Sequence, residues 1–259
     1  MKTHFAVIIL LTTQLLLAGC LDDSDSNDTQ LPPEQSNGST SSPANSTADE
    51  VLNVDTEGNT TISGSSLEVA LAATPNDLLL NSAETEGVIW MREEEKLARD
   101  TYLALYKVTN LQIFSNIASS EASHAAAVKQ LLDKYGIADP MIVDVEGQFS
   151  NPDLQALYGN LVNQGSASLT AALEVGAEIE DLDIYDLQTL SSETSNSDLL
   201  LVYSTLELGS RNHLRSFIRQ LTANGGSYTP KYISQDAFNA IVESDTERGS
   251  SNGYATKGR

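Results

Sequence analysis

The sequence predicts an all-α domain: a four-helix bundle with a short extra helix in the connection between the second and third long helices. Three observations carry this. Four segments of roughly six or seven turns repeat apolar residues at alternating spacings of three and four, the signature of one buried face. The 16 Gly and 7 Pro among 259 residues, with 6% aromatics, are too few for the turns and packed strands of a sandwich or barrel. The link between the second and third segments is longer than the other two, as a bundle with one long crossover requires.

The chain opens on an address. Met1-Lys2-Thr3-His4 is polar and basic, and Phe5 to Leu17 is apolar apart from Thr12, Thr13 and Gln14. This run is too short to span a bilayer and fits a secretory signal over residues 1–19. It ends in Leu17-Ala18-Gly19-Cys20, which resembles the bacterial lipobox, and the one cysteine of the chain stands at the one position the motif requires. The expectation is lipidation at Cys20 and a membrane partner reached through that anchor. The protein would then sit on the cell envelope, facing the periplasm. Leu21 rather than Asp after the cysteine points to the outer membrane if the source has two membranes. Residues 20–75 read as lipidated cysteine and flexible, low-complexity tether, because Asp, Ser, Asn, Thr and Pro cannot bury enough surface to offset ordering entropy. Thr60-Thr61-Ile62 is too short a β-like run to count as a strand here.

The domain proper is expected over residues 76–240. Its first helix runs from Glu84 to about Val108, the second from about Gln112 to Tyr135, with Gly136 as the C′ stop. Ile137 to Ser150 has no helical period, and Asn151-Pro152 starts a shorter helix to about Asn163, with Pro at its first position. The third long helix runs from about Ser168 to Leu190 and the fourth from Asp198 to about Leu221, before Gly225-Gly226. Tyr228, Tyr232 and Phe238 are docking points beyond it, and 241–259 reads as a polar tail.

Each inward stripe is apolar at its ends and polar in the middle. The first reads Val88, Met91, Glu95, Ala98, Tyr102, Leu105, and the second Phe114, Ile117, Glu121, His124, Val128, Leu131, Tyr135. The third reads Leu169, Leu173, Gly176, Glu180, Asp183, Leu187, Leu190, and the fourth Leu199, Tyr203, Leu206, Ser210, His213, Phe217. Antiparallel packing would bring these polar positions to one level. Buried carboxylates at one level repel unless protonated or neutralised, and a metal cation is the usual neutraliser. Glu95, Glu121, His124, Glu180, Asp183 and His213 are therefore the candidate metal ligands, a mixed oxygen and nitrogen set that suits iron, with manganese as the alternative. His4 leaves with the signal, so both histidines of the mature chain lie on inward stripes. In metal-free protein, Glu121→Ala is expected to be neutral or stabilising, since it removes one of several repelling acids. Glu93 and Glu94 read as a solvated face, Glu174 and Glu178 as surface, and Trp90 as packing under the N-terminal segment.

Charge excludes other classes. With 14 Lys+Arg against 36 Asp+Glu, the net charge of -22 repels phosphate backbones, so no nucleic-acid partner is expected. One cysteine excludes an intramolecular disulfide and a Cys-rich metal site.

Glu95-x-x-Ala98-x-x-x-Tyr102, and Ile117-Ala118 followed by Glu121-x-x-His124, resemble the first two helices of rubrerythrin-type proteins in the ferritin-like superfamily. Met91 to Asp100, Ile179-Glu180-x-x-Asp183-Ile184-x-Asp186-Leu187 and Gly209 to Arg215 resemble a bacterial and archaeal family of ferritin-like domains of unknown function. The resemblance covers about Leu78 to Phe238. It implies a ferritin-like bundle with a di-iron type centre and redox or iron and oxygen-stress chemistry of an oxidase or peroxidase kind; a homodimer is compatible with it. One departure stands out: where a rubrerythrin-like fourth helix carries a second E-x-x-H, this chain has Ser210-x-x-His213. Asp183 or Glu207 are the candidates to replace that carboxylate. The competing readings are passive metal sequestration and a metal-free interaction module of the cell envelope, its buried acids paired with Arg92, Arg99, Arg211 or Arg215.

If one thiol carries the whole anchor, Cys20→Ser should move the mature domain from membranes to the soluble fraction. Retention on membranes after a salt wash would refute lipidation.

Overall fold

A computed structural model describes residues 51–75 and 79–248; the signal, Cys20 and most of the tether lie outside the described residues. The chain is mostly helical. Strands β1 (Leu52–Val54) and β2 (Thr60–Ile62) precede helices α1 (Gly64–Ala72), α2 (Ser82–Thr109), α3 (Gln112–Tyr135), α4 (Pro152–Gly165), α5 (Leu169–Ser192), α6 (Ser197–Ala223) and α7 (Gln235–Val242). No helix among the described residues is long and apolar enough to cross a membrane.

The long helices start where side chains can satisfy free amides. Asn81 and Glu84 form a capping box on α2, Ser168 caps α5, and Asn196 caps α6 through the amides of Asp198 and Leu199. Asn151 caps α4 with Pro152 in its first turn, and Gly136 ends α3 in the left-handed region at φ 66°. Short links make α2–α3 and α5–α6 two helical hairpins. Within each hairpin the helices pack closely, α3 also packs on α6, and α2 on α5. The stripes meet in this interior: Val88, Met91, Leu105, Phe114, Ile117, Val128, Leu131, Leu173, Leu187, Leu199, Leu206 and Phe217 are all fully buried. Leu169, at the first position of α5, is the one stripe residue left exposed. Tyr102, Phe114 and Phe217 form an aromatic cluster with centroids 5.2–6.2 Å apart.

Two boundaries read from the sequence shift. Residues 51–72 are not tether. Leu52 pairs with Ile62 across an antiparallel hairpin, and Leu52, Ile62, Leu67 and Leu71 bury against the helices. The turn closes because Asp55 accepts from the amides of Glu57 and Asn59, and Gly58 takes φ 90°. At the other end, α7 runs past 240. Glu247 then binds Arg211 and Arg215, so the folded part reaches beyond the expected start of the tail.

The connection 137–151 drapes over α2 and explains why the charged run there is buried. Arg92 binds Asp139, Arg99 binds Asp144, and Lys96 pairs with Asp100 while donating to Val145 O. Glu93 is not solvated: its two oxygens accept from the amides of Ser150 and Asn151, at 2.5 and 3.0 Å. A second buried acid organises the C-terminal segment. Asp181 accepts from Tyr228 Oη and from the amides of Lys231, Tyr232 and Ile233. Tyr228 and Phe238 dock as expected, with ring centroids 5.9 Å apart.

Asp181→Ala removes one charged acceptor and strands several buried donors. The variant should lose about 3 kcal/mol in urea unfolding and become protease-sensitive between residues 224 and 240. Unchanged stability would show that water replaces the carboxylate freely.

Candidate metal centre

Midway along the four long helices, α2 contributes Glu95, α3 Glu121 and His124, α5 Glu180, and α6 His213. All five are buried, none more than 2% exposed. Glu121 and His124 share a face because they lie three apart on one helix. The Glu121 carboxylate divides between the imidazoles: Oε2 lies 2.7 Å from His124 Nδ1, and Oε1 lies 2.8 Å from His213 Nδ1. Glu95 Oε2 approaches His124 Nδ1 at 3.5 Å, and Glu180 Oε2 approaches His213 Nδ1 at 3.6 Å. The result is two triads that share Glu121: Glu95–Glu121–His124 and Glu121–Glu180–His213, each with ligand atoms within 4.8 Å of one another. These contacts are close but poorly directed for hydrogen bonds, since Glu95 Oε1, Glu121 Oε1 and both Nδ1 atoms lack an aligned partner. Converging oxygen and nitrogen atoms without aligned partners in a buried site are a set that could hold a cation once the imidazoles are deprotonated.

Protons balance the metal-free charge. Burial pushes Glu95 up to about 7 against the pull of His124. Burial and the neighbouring Glu121 charge push Glu180 up to about 7 as well. Burial also opposes ionisation of Glu121, but the two imidazoles outweigh it and hold this carboxyl well below its usual range. Burial disfavours both imidazolium ions, yet Glu121 raises His124 well above its usual value and, with Glu180, raises His213 to about 9. At neutral pH one carboxylate thus lies between two imidazolium rings. Glu121 is the main charge that keeps both imidazoles protonated against burial, so in metal-free Glu121→Ala protein burial would return the rings toward the neutral form.

The surroundings fix these groups. Tyr102 Oη donates to Glu180 Oε1 at 2.6 Å, so Tyr102 is core filling with a hydroxyl partner. The imidazole planes stack at 18° with centroids 5.4 Å apart, and Thr60 Oγ1 of β2 lies 3.0 Å from His124 Nε2 and 2.9 Å from His213 Nε2. Gly209 makes room for both, since a Cβ there would come within 2.6 Å of the His124 ring and 3.1 Å of Thr60 Oγ1. Tyr203 faces away, toward a small space lined by Glu84, Leu190 and Leu199.

Asp183 lies beside the triads rather than within them. Its Oδ2 forms a short hydrogen bond with Ser210 Oγ, which also lies 3.0 Å from Leu206 O. Ser210 has one hydrogen for two acceptors. A protonated Asp183 donating to Ser210 resolves the conflict, and burial together with the Glu95 charge does raise this carboxyl well above its usual range. Glu207 is excluded as a replacement, because it binds Arg211 and Gln188 at the edge of the fold. Glu94 is not solvated either. It accepts from Trp90 Nε1 at 2.7 Å, and the same indole reaches Asp186 at 3.2 Å, so Trp90 serves this acid pair. The cations are occupied elsewhere: Arg92 with Asp139, Arg99 with Asp100 and Asp144, Arg211 with Glu207 and Glu247, and Arg215 with Glu247.

Thr60 and Glu94 are the two neighbours that periodicity missed. A turn rich in Asp, Gly and Asn between Leu52–Val54 and Thr60–Ile62 was the available hairpin signal, and the i, i+4 spacing of Trp90 and Glu94 the signal for the other.

Residues 84–245 match the family model described as an uncharacterized protein domain, DUF2202. The chain is 54% identical over 170 residues to the uncharacterized protein MJ0754 of Methanocaldococcus jannaschii, covering 66% of this chain and 92% of that protein. It is also similar to the crystal structure of hypothetical protein MJ0754 from Methanococcus jannaschii, with a TM-score of 0.66 and 52% identity over 67% of this chain and 99% of that one. The family match spans more than half of the sequence and all five residues of the shared-carboxylate cluster: the chain belongs to the DUF2202 family.

Proposed function

We propose that this chain is a lipid-anchored protein of the cell envelope, on the outer membrane where there are two, whose domain is a ferritin-like four-helix bundle holding a two-metal centre. Iron is the preferred occupant and manganese the alternative, and the role is redox chemistry on oxygen or peroxide. One observation carries the reading: Glu121 presents one oxygen to each imidazole, so a single carboxylate belongs to two ligand triads. The engagement of Arg92, Arg99, Arg211 and Arg215 with other acids argues against a metal-free module in which those cations neutralise the cluster.

In this reading Glu95, Glu121 and His124 would hold one ion and Glu121, Glu180 and His213 the other. Bound iron supplies Lewis acidity and one-electron couples at two adjacent positions. The protein orients the ligands and keeps the site dry. Tyr102 holds Glu180 by one oxygen and leaves Oε2 facing His213. Asp183, protonated against Ser210, stores a proton beside the cluster. Since Glu121 raises both histidines above their usual values, a cation would have to compete with protons there, and its uptake should weaken as pH falls.

Protein made in iron-replete cells should carry about two iron atoms per chain. Glu121→Ala and His124→Ala should each reduce this severely, while Glu86→Ala, at an exposed position, should not. Metal-free wild type from such cells, with no uptake on titration with Fe(II) or Mn(II), would defeat the proposal.

Stability of the metal-free protein should fall as pH rises. Glu95 and Glu180 have folded values near 7, above their unfolded values, and His213 is raised to about 9. For each, the folded state holds the proton more tightly, so the associated stability is lost as pH rises through the folded value. The metal-free melting temperature should therefore drop between pH 6 and 9, while the metal-loaded protein changes much less. Parallel curves would show that protons and metal do not compete. At pH 8, Glu95→Gln should leave metal-free stability unchanged or raised and still abolish loading.

A further inference from the structure

We infer that Thr60 is a positioning residue of the centre: its single hydroxyl oxygen accepts a hydrogen bond from Nε2–H of both histidines and fixes both rings with Nδ1 directed at Glu121. The inference rests on the two-metal reading above and concerns a segment that lies before the residues matched by the family. A histidine that ligates through Nδ1 keeps its proton on Nε2, and that N–H needs a buried acceptor. Thr60 Oγ1 lies within hydrogen-bond distance of both Nε2 atoms, at 3.0 and 2.9 Å, and a hydroxyl oxygen has two lone pairs for two donors. The arrangement is the same whether Nδ1 carries a proton or a metal, since Nε2 is protonated in both cases.

The hairpin is built to hold that oxygen in place. Thr60 is fully buried, and its amide donates to Ser120 Oγ at 3.1 Å. Two residues on, the Ile62 amide donates to Ser123 Oγ at 3.1 Å. At the turn, Glu57 O accepts from Ser216 Oγ and from Arg219. The strap is therefore tied to α3 and to α6, the two helices that carry the histidines. Gly209 removes the side chain that would otherwise occupy the space shared by His124 and Thr60.

The test uses the mature chain in four forms, wild type, Thr60→Ser, Thr60→Val and Thr60→Ala, titrated with Co(II) as the probe. Co(II) reports affinity and, through its visible absorption, ligand geometry. If the hydroxyl positions the rings, Thr60→Ser binds as wild type does, and Thr60→Val binds about 10- to 100-fold more weakly with an altered spectrum. Thr60→Ala falls at or above Thr60→Val, because the space left can admit a water. If the residue only fills volume, the isosteric Thr60→Val equals wild type, and Thr60→Ser and Thr60→Ala are equally weakened; that order overturns the inference. Should Thr60→Val fail to fold, Thr60→Ser against wild type decides, since the inference requires equal binding and a weakened Thr60→Ser overturns it. Failure of wild type itself to bind, alongside Glu95→Gln, would instead remove the two-metal reading and this inference with it.

Discussion

The fold depends on how it tolerates Glu121. Each oxygen of this carboxylate lies against a different imidazole, at the point where α3 packs on both α2 and α6. An uncompensated charge at that depth would cost several kcal/mol. The surrounding ionisable groups compensate it without an arginine or a lysine. Glu95 and Glu180 stay protonated toward neutral pH, and the two histidines stay charged. The apolar ends of the four stripes supply the burial that makes this polar level affordable.

Around that level the chain separates its charges by purpose. Guanidinium groups and Lys96 are spent on holding connections: the 137–151 segment over α2, and Glu247 against α6. Three buried acids outside the cluster, Glu93, Glu94 and Asp181, find neutral N–H and O–H donors instead. Glu93 takes two backbone amides, Asp181 takes three and a tyrosine, and Glu94 takes an indole. Backbone amides compensate a buried carboxylate without adding a mobile cation, so these acids fix loops and leave the central level to protons or metal.

The helices and the central five residues were legible because one physical rule governs both. Spacings of three and four place residues on one face, and a polar residue in the middle of such a face must meet another. Glu95, Glu121, His124, Glu180 and His213 follow from that rule. Asp183 obeys the same spacing but lies on Ser210, because periodicity gives the face and not the rotamer. Glu93 and Glu94 failed for a different reason. Their burial comes from a connection with no period of its own, folded back over α2. The hairpin was hidden because three-residue strands leave almost no alternation to detect, and its key atom, the Thr60 hydroxyl, belongs to a residue type common in unstructured segments.

The shared carboxylate also has a consequence for how the molecule assembles. Glu95, Glu121 and His124 all belong to α2 and α3, a pair joined by a short link, so that triad is local in sequence. The second triad takes Glu180 and His213 from α5 and α6 and needs the two hairpins docked. Contacts between near neighbours form early in folding, and distant ones later. One half of the centre is thus a property of a single helical hairpin, while the other exists only in the completed domain. If the cluster takes cations as proposed above, occupancy of the second triad would report that α5 and α6 have docked on the α2–α3 hairpin.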